Sequence, residues 1–371
     1  MVWVVAVPVA LALVATLLPF VPLPHGVFRV GEFPRVQIMV WSLLAAALAF
    51  ALLPLVGDGA AWGWTLGVLA LLCAAVQAWF IRPFTPFARR RVREHDADAF
   101  FRREGERAPR VSLFAANVKQ SNRDYDRLTS VVLALQPDIA VFMETDQGWA
   151  DALAPVTADY PFRMEEIHDT GYGMIMVSRV PIEDGRVRHL LNEEVPSFDC
   201  VMNHPEGDRF RLIALHPEPP TVQDDTIGRD AEIGQVGLAM RSERLPGIVF
   251  GDLNDVAWSS TTRRFLRLSR MLDPRHGRGQ YNSFDARYPP MRWPLDHIFV
   301  TPHFELVSLR RMPFIGSDHF PMFYELALTD RSAPKVEEDP ASRDDVREVV
   351  DLIATERGRD RRPIGVDWEE G

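Results

Sequence analysis

Three long apolar stretches dominate the amino-terminal part of the chain. The stretches without a charged side chain are residues 2–22, 36–56 and 60–81. Each can cross a hydrocarbon layer about 30 Å thick, because a helix rises about 1.5 Å per residue. Aromatic residues of the kind found at membrane interfaces stand near the ends of the third stretch, at Trp62, Trp64 and Trp79. The pattern predicts a membrane domain, residues 1–82, with three transmembrane helices. A cleavable signal peptide is the alternative for the first.

Few charges separate these stretches. They are Arg29, Glu32 and Arg35 after the first, Asp58 after the second, and Arg82, Arg89, Arg90, Arg91 and Arg93 after the third. Positive residues favour the cytoplasmic side of a plasma membrane. The loop charges therefore predict that the amino terminus lies outside and that everything after residue 82 lies in the cytoplasm. Residues 83–110 are predicted to form a basic juxtamembrane linker or a helix on the membrane surface.

From residue 111 onward, short apolar runs alternate with polar segments of helical spacing. The predicted strands are residues 111–116, 139–142, 173–177, 198–202, 210–214, 248–250, 297–300 and 322–328. The predicted helices are residues 124–135, 150–153, 227–244 and 261–271. Many strands with interspersed helices and no fixed repeat predict a mixed α/β sandwich over residues 111–328, which is long enough for a packed core.

The carboxyl-terminal segment, residues 329–371, is polar and acidic. Apart from an amphipathic helix at residues 344–355, its composition predicts disorder. The two cysteines, Cys73 in an apolar stretch and Cys200 in a strand, predict neither a disulfide framework nor a zinc site.

Polar side chains recur where the predicted strands end. Asp252 and Asn254 follow the apolar run 248–250 with a two-residue spacing that puts both side chains on one face. The acid can take a proton or bind a metal, and the amide can hold a water or a phosphate oxygen without adding negative charge. An Asp-x-Asn turn that caps the next helix is the alternative. The other candidates, for which turn, cap or loop roles stay open singly, are Asn117, Glu144, His216, Asp296, Asp318 and His319.

The order of these residues carries a resemblance to a known family. The chain resembles the endonuclease/exonuclease/phosphatase superfamily, in a membrane-anchored bacterial branch, through residues 111–328. The motifs are Asn117, Met-Glu144-Thr-Asp, Gly173-Met-Ile-Met-Val-Ser178-Arg179, Leu-His216, Gly251-Asp252-Leu-Asn254, Leu-Asp296-His-Ile-Phe and Gly316-Ser317-Asp318-His319-Phe-Pro321. The resemblance implies a four-layer α/β sandwich, two packed mixed β-sheets flanked by helices, and a metal-dependent phosphate-ester hydrolase.

The resemblance also implies a metal site. Glu144 resembles the principal Mg²⁺ ligand of the family, with Mn²⁺ as the alternative ion, and Asn117 and Asp318 match residues close to the metal. A few hard oxygen ligands leave coordination positions for water and for a substrate phosphate.

Catalytic roles follow from the same motifs. Asp252 resembles the acid that orients or deprotonates the attacking water, and Asn254 resembles the amide that holds the nucleophile and the phosphate. His319 resembles the phosphate-contacting imidazole, biased toward its cation by Asp296. His216 matches a second imidazole that contacts phosphate or assists the leaving group.

The chain departs from the family in two places. Arg292-Trp-Pro-Leu-Asp296-His297 stands where many relatives have an Arg-Ile-Asp-Tyr sequence, which puts the usual arginine contact in doubt. His297 is therefore predicted to pack rather than to catalyse. The tyrosine and extra asparagines of abasic-site endonucleases have no match, which disfavours a DNA-repair function.

Charge narrows the substrate class. Residues 111–328 contain 22 Lys plus Arg against 31 Asp plus Glu, whereas proteins that grip duplex DNA neutralise several phosphates with a basic surface. A basic run on one predicted helix, Arg263, Arg264, Arg267 and Arg270, is interpreted as a solvated face. The preferred hypothesis is a bilayer-anchored hydrolase of a lipid-linked or small phosphate ester. A membrane-tethered nuclease and an inactive phosphate-binding scaffold are the alternatives, and the oligomeric state stays open. Some relatives of the resembled branch act outside the cytoplasm, against the loop charges.

Overall fold

A computed structural model describes residues 2–55, 59–206, 208–329 and 341–366. The chain divides into two compact units. The first comprises Met1–Arg89 with Thr221–Thr226, and the second comprises Arg90–Pro220 and Ile227–Gly371. The domain limits expected from the sequence stay a prediction, and the loop charge at Asp58 lies outside the described residues.

The first unit is built from apolar helices. They are α1 (Val2–Leu17), α2 (Gly26–Arg29), α3 (Arg35–Leu52) and α4 (Gly59–Ile81). Short 3₁₀ turns extend three of them, so that Val2–Phe20, Arg35–Leu55 and Ala60–Phe84 are each long and apolar enough to cross a membrane. Trp3, Leu44 and Trp64 point outward with 79%, 63% and 66% of their surface exposed. An apolar exterior of this kind suits a lipid environment.

The charges between α1 and α3 lie inside the first unit. Arg29, Glu32 and Arg35 are buried, and each arginine has a guanidinium nitrogen 3.9 Å from a Glu32 carboxylate oxygen. Arg35 also donates a 2.9 Å hydrogen bond to Gln77 Oε1, and Gln77 donates one of 2.9 Å to Thr16 Oγ1. Because these charges are internal, the predicted orientation in the membrane rests chiefly on the arginine run that follows α4.

The second unit contains two β-sheets. Its strands are β1 (Arg110–Asn117), β2 (Ile139–Met143), β3 (Phe162–Glu166), β4 (Met174–Ser178), β5 (Ile182–His189), β6 (Pro196–Asn203), β7 (Arg209–Leu215), β8 (Gly247–Asp252), β9 (Asp296–Val300), β10 (Phe304–Arg311) and β11 (Met322–Leu328). One sheet has the order β10-β11-β1-β2-β4-β3, and the other has the order β5-β6-β7-β8-β9. In both, a parallel pair lies among antiparallel neighbours: β1 with β2, and β7 with β8.

Helices cover the outer faces of both sheets. The helices of this unit are α5 (Ala97–Glu104), α6 (Tyr125–Leu135), α7 (Gln147–Leu153), α8 (Ile227–Ser242), α9 (Ser260–Ser269) and α10 (Arg343–Arg357). Three apolar clusters define the layers: one between the sheets, one under α6 and α7, and one under α8 and α9. The predicted four-layer α/β sandwich is therefore confirmed.

Continuous apolar runs in the central strands follow from this layering. Leu113 faces the cluster between the sheets, and its neighbour Phe114 faces the cluster under the helices. Successive side chains point to opposite faces, and both faces are covered, so the strand is apolar throughout.

Eight strands predicted from the sequence are present within a few residues of their expected ends, and three strands were missed. The missed strands are β3, β5 and β10. Most of β5 is exposed or only half-buried, so its sequence Ile-Glu-Asp-Gly-Arg-Val-Arg-His lacks the apolar run by which the others were found. β5 lies at the edge of its sheet, where a strand pairs with only one neighbour and can leave its side chains exposed. It therefore needs no apolar run.

The carboxyl-terminal segment differs from the predicted disorder. Residues 341–366 are described, and α10 covers the predicted helix at 344–355. Val349 and Leu352 are buried, Ser342 and Asp345 form a capping box, and α10 packs on α8 and α9. The predicted amphipathic helix is therefore present and docks its narrow apolar face, whereas the predicted disorder does not hold for the described residues that follow it, 358–366.

Candidate active site

The strand ends bring the predicted residues to one edge of the two sheets. Asn117 ends β1 and is paired in register with Met143 at the end of β2, so Glu144 follows at the same level. Asp252 ends β8 and is paired with Asp296 at the start of β9. His216 directly follows β7, the other neighbour of β8. Strand pairing thus brings residues that are far apart in the sequence close together in space.

Two backbone features make this edge tight. Gly251 has φ of +137°, and a Cβ there would lie 2.1 Å from the Leu215 carbonyl oxygen, so only glycine fits between β7 and β8. Glu144 and Asn254 have φ of +61° and +51°, which is uncommon for residues with a side chain. Such conformations concentrate at functional sites, where the surrounding structure holds them.

Asn117 is the central connector of the cluster. Its Nδ2 donates hydrogen bonds to Glu144 Oε1 at 2.6 Å and to Asp252 Oδ2 at 3.0 Å. Its Oδ1 accepts a 3.0 Å bond from the backbone N–H of Lys119. The amide therefore ties the two acids to the turn that follows β1.

His319 lies between two buried carboxylates. Its Nδ1 is 2.8 Å from Asp296 Oδ2, and its Nε2 is 3.4 Å from Asp252 Oδ2. Burial alone would favour the neutral ring, yet Asp252 and Asp296 outweigh it and raise the pKa of His319 to about 10. The ring is therefore an imidazolium at neutral pH.

The two acids beside His319 differ. Burial works to raise the pKa of Asp252, but the His319 and His216 rings and the Asn254 N–H, which donates to Asp252 Oδ1 at 2.9 Å, hold it below its ordinary value. Burial raises the pKa of Asp296 despite its bond to His319, and the nearby charge on Asp252 adds to the effect. Asp252 is thus the more strongly ionised of the pair.

His216 closes the other side of the cluster. Its Nε2 is 3.8 Å from Glu144 Oε1 and 4.0 Å from Asp252 Oδ2, and its ring centroid is 5.8 Å from that of Tyr172. Within the described parts of the chain neither ring nitrogen has a hydrogen-bond partner. Burial lowers the pKa of His216 to about 4, so this imidazole is neutral at neutral pH.

Asp318 is paired with two cations. Its Oδ2 accepts a 2.7 Å hydrogen bond from Lys119 Nζ and lies 3.4 Å from Arg287 Nη2. Burial opposes ionisation, but His319, Lys119 and Arg287 hold the pKa of Asp318 below its ordinary value. The resemblance put Asp318 close to a metal, and the structure additionally gives it these two basic partners.

The sequence reasoning missed Lys119 and Arg287. Lys119 stands two residues after Asn117, a spacing that could have flagged it, and its φ of +57° turns the chain back over the site. Arg287 lies in the loop before β9, where no periodic pattern marks its position. Ser317 was quoted only within its motif, yet its Oγ donates to the Asn117 carbonyl at 2.8 Å and accepts from the His319 N–H at 3.0 Å.

The remaining predicted residues have structural partners. Asn254 Nδ2 donates a 2.9 Å bond to the Pro217 carbonyl, which ties β8 to the segment after β7. His297 is fully buried, and its ring nitrogens lie 2.6 Å from Arg275 Nη2 and 2.9 Å from the Asp255 carbonyl, as expected for a packing residue. Arg292 donates to the backbone carbonyls of Asp285 and Ala286. The arginine beside the acids is Arg287 instead.

Two sets of donors could hold a divalent cation. Asp252, Asp296 and His319 each offer a ligand atom within 4.8 Å of the others, but the two His319 ring nitrogens already face the Asp296 and Asp252 carboxylates. Glu144 is partly exposed, and burial together with the Asp318 and Asp252 carboxylates raises its pKa to about 7. A cation would relieve this crowding of acids, so the carboxylate of Glu144 fits a hard metal ion. Asn117 presents its Nδ2 to Glu144 and its Oδ1 to the Lys119 N–H, so its amide would have to turn for the oxygen to join the ion.

Comparison with known proteins agrees with the fold. The model of the Endonuclease/Exonuclease/phosphatase family matches residues 111–319. No curated protein matches the chain significantly. The structure is similar to that of D. rerio TDP2 complexed with single strand DNA product, with a TM-score of 0.49, 15% identity, and coverage of 58% of this chain and 98% of that one.

Two further solved structures are similar. For the human Nocturnin catalytic domain with bound sulfate anion, the TM-score is 0.49 and the identity 16%, covering 60% of this chain and 94% of that one. For the endonuclease/exonuclease/phosphatase from Beutenbergia cavernae DSM 12333, the TM-score is 0.48 and the identity 18%, covering 60% of this chain and 72% of that one.

The chain belongs to the endonuclease/exonuclease/phosphatase family. Members of this family hydrolyse phosphate esters, and its enzymes typically use divalent metals.

Proposed function

We propose that the protein is a membrane-anchored, Mg²⁺- or Mn²⁺-dependent phosphoric ester hydrolase that acts on a lipid-linked or small phosphate ester. The observation that carries the proposal is the buried row Asp252, His319 and Asp296, joined through Asn117 to Glu144. This row combines a strongly ionised acid with a permanently charged imidazole. The pair suits water attack on an anionic phosphorus centre.

Each residue has a physical reason for its role. The lowered pKa of Asp252 keeps it ionised, so its carboxylate is free to orient the attacking water and to accept its proton. The His319 imidazolium, held by Asp296, donates to a phosphate oxygen and offsets its charge. Neutral His216 can donate a hydrogen bond from its ring N–H to the phosphate or to the leaving oxygen, which takes its proton from bulk water. The phosphorus gains one bond to the water oxygen and loses the bond to the leaving oxygen.

Cations surround the expected phosphate position. Glu144 and Asn117 would hold the divalent ion, which supplies Lewis-acid stabilisation of the phosphate charge when bound. Lys119 and Arg287, now shared with Asp318, have further N–H donors for a substrate oxygen. Charge neutralisation is the main requirement for phosphoryl transfer, and these side chains meet it.

The substrate class is inferred from tethering and charge. Three apolar helices long enough to span a bilayer would give the attached site a high effective concentration of lipid-linked substrates. The region 111–328 has an acidic excess, and Arg264 and Arg267 of its basic helix pair with Glu348 and Asp345 of α10. Because that basic run is paired within the chain, it gives little support to a duplex-gripping nuclease. An inactive scaffold would not need both buried acids beside one histidine.

The test uses the full chain in detergent micelles or liposomes. Phosphate release is measured on lipid diphosphates, phosphoinositides, nucleotides and DNA, with Mg²⁺ or Mn²⁺ and then with EDTA. We expect turnover of a lipid or small phosphate ester that EDTA abolishes and added metal restores. Cleavage confined to DNA would favour the nuclease, and no turnover on any substrate would favour the scaffold.

A further inference from the structure

We propose that the carboxyl-terminal strap, the name used here for residues 359–366, positions His216 through the side chains of Arg361 and Val366 and the backbone of Ile364. The strap follows α10 and lies beyond residue 319, where the match to the family model ends. The inference rests on the proposed function insofar as His216 serves in catalysis. The geometric part stands on contacts alone.

The strap forms hydrogen bonds with Glu218, just after His216 in the chain. Arg361 donates two parallel hydrogen bonds of 2.8 Å to the two carboxylate oxygens of Glu218, which is buried and only two residues beyond His216. The backbone N–H of Ile364 adds a 3.3 Å bond to the same carboxylate. A two-pronged contact between a guanidinium and a buried carboxylate fixes orientation as well as distance.

The short segment of residues 216–218 also accepts a hydrogen bond from Asn254, just after β8. Asn254 Nδ2 donates to the Pro217 carbonyl, and Asn254 follows Asp252 in the catalytic row. Residues 216–218 therefore lie between the strap and the end of β8. Loss of either partner leaves only one side of the segment restrained.

Tyr172 forms a second connection between the strap and His216. Its hydroxyl donates to the Ile364 carbonyl, and its ring packs in a buried cluster with Val195 and Val366. The Tyr172 ring also contacts the His216 imidazole, with 5.8 Å between the two ring centroids. The strap thus fixes the aromatic surface against which His216 rests.

The strap itself is anchored. Arg361 Nη2 lies 2.6 Å from Glu356 in the last turn of α10, and Asn192 Nδ2 donates a 3.2 Å bond to the Arg361 carbonyl. Upstream, α10 is fixed to α9 by the pairs of Arg264 with Glu348 and Arg267 with Asp345. The strap is therefore a docked element that can transmit restraint.

His216 depends on such outside restraint. Among the described residues neither of its ring nitrogens has a hydrogen-bond partner, so no hydrogen bond of its own sets the ring orientation. The ring packs against Tyr172, and its position also follows from the backbone of residues 216–218. Both are contacted by the strap, which makes Arg361 a positioning residue for His216.

The test compares Arg361→Met and Arg361→Lys with Arg362→Met. Arg362 is the neighbouring strap residue, and its guanidinium pairs with Glu194 in a contact where both side chains are at least one-third exposed. Arg361→Lys keeps the charge but loses the two-pronged contact, which guards against a variant that fails to fold. We expect kcat to fall about tenfold in Arg361→Met, less in Arg361→Lys, and not at all in Arg362→Met, with KM little changed.

A double variant separates positioning from general stability. If Arg361 acts through His216, Arg361→Met combined with His216→Gln loses no more activity than His216→Gln alone. Additive losses would overturn the proposal.

Hydrogen exchange of the full chain provides a readout that needs no turnover. Faster exchange is expected at the amides of His216 and Glu218, the two residues of this segment with a backbone N–H, in the two Arg361 variants and not in Arg362→Met. Unchanged exchange there would overturn the inference. If the wild type shows no turnover, the proposed function is overturned, and the hydrogen-exchange result alone decides whether the strap positions His216.

Discussion

The two histidines of the site are equally buried, but at neutral pH one is charged and the other is neutral. His319 is 4% exposed and His216 is 3% exposed, yet the pKa of the first is raised to about 10 and that of the second is lowered to about 4. His319 has carboxylate partners at both ring nitrogens, whereas His216 lies 3.8 Å or more from the acids near it. Burial therefore does not decide the charge of a histidine; close partners do.

The two sides also differ in how they are built. The His319 side is made by β8, β9 and the Ser-Asp-His turn, all within the residues that the family model matches. The His216 side depends on Tyr172 and on the strap, which lies outside the matched region. The charged side thus lies wholly within the matched region, whereas the neutral side also uses residues beyond it.

Asp252→Asn should have the largest effect, because Asp252 faces both histidines. We expect kcat to fall by about 10⁴-fold, since the variant removes the acceptor for the water proton and one of the charges that keep His319 protonated. Steady-state phosphate release measures the loss. Activity within tenfold of the wild type would show that another group activates the water.

Asp296→Asn should break only the charged side. The expected loss in kcat is about 10³-fold, because His319 loses its 2.8 Å partner and its pKa moves down toward the ordinary range. Histidine-selective NMR on the variant checks the pKa directly. An unchanged His319 pKa with reduced activity would mean that Asp296 acts in some other way.

His216→Gln should break only the neutral side. We expect a loss of about 10²-fold in kcat, less than for Asp296→Asn, because a single uncharged donor to the phosphate or leaving oxygen is removed. The two variants are measured in the same assay, and the comparison of the two histidines requires the smaller loss in kcat for His216→Gln. A greater loss in His216→Gln than in Asp296→Asn would reverse the assigned importance of the two sides.

The pH dependence of stability should show the smallest effect, with opposite signs for the two rings. The raised pKa of His319 stabilises the fold fully below pH 6.5, and this contribution is lost as the pH rises through about 10. The lowered pKa of His216 means that its neutral form is favoured above pH 6.5, and stability is lost as the pH falls through about 4. The change in Tm between pH 6.5 and 10 should be smaller in Asp296→Asn, and equal changes would contradict the assignment.

Much of the fold could be predicted because buried elements leave strong patterns. Central strands such as β2 and β11 are apolar on both faces, and the three helices that could span a membrane are long and apolar. The edge strand β5 buries none of its residues fully, so its composition resembles that of a loop and it was missed. The helix α10 buries only a narrow apolar face, yet the helical spacing of that face was enough to predict it. Local pattern detects an element with at least one regular apolar face and misses an element with none.

The candidate site was predictable to the extent that its residues end strands. Asn117, Asp252 and Asp296 mark strand ends and could be found from the alternation of apolar and polar segments. Arg287 and Arg361 lie in irregular segments, where only the three-dimensional path of the chain brings them to Asp318 and Glu218. The charge of His319 was anticipated from Asp296, but the neutrality of His216 follows from contacts that the sequence does not encode locally.

The most direct test of the account is hydrolysis of the best substrate of the panel in ¹⁸O-labelled water. Mass spectrometry of the phosphate-containing product formed by attack reports which atom the water oxygen joins. Water attack at phosphorus, oriented by Asp252, predicts that this product carries one ¹⁸O per turnover in the presence of metal. Release of unlabelled phosphate with the label on the alcohol would place the attack at carbon and contradict the central claim.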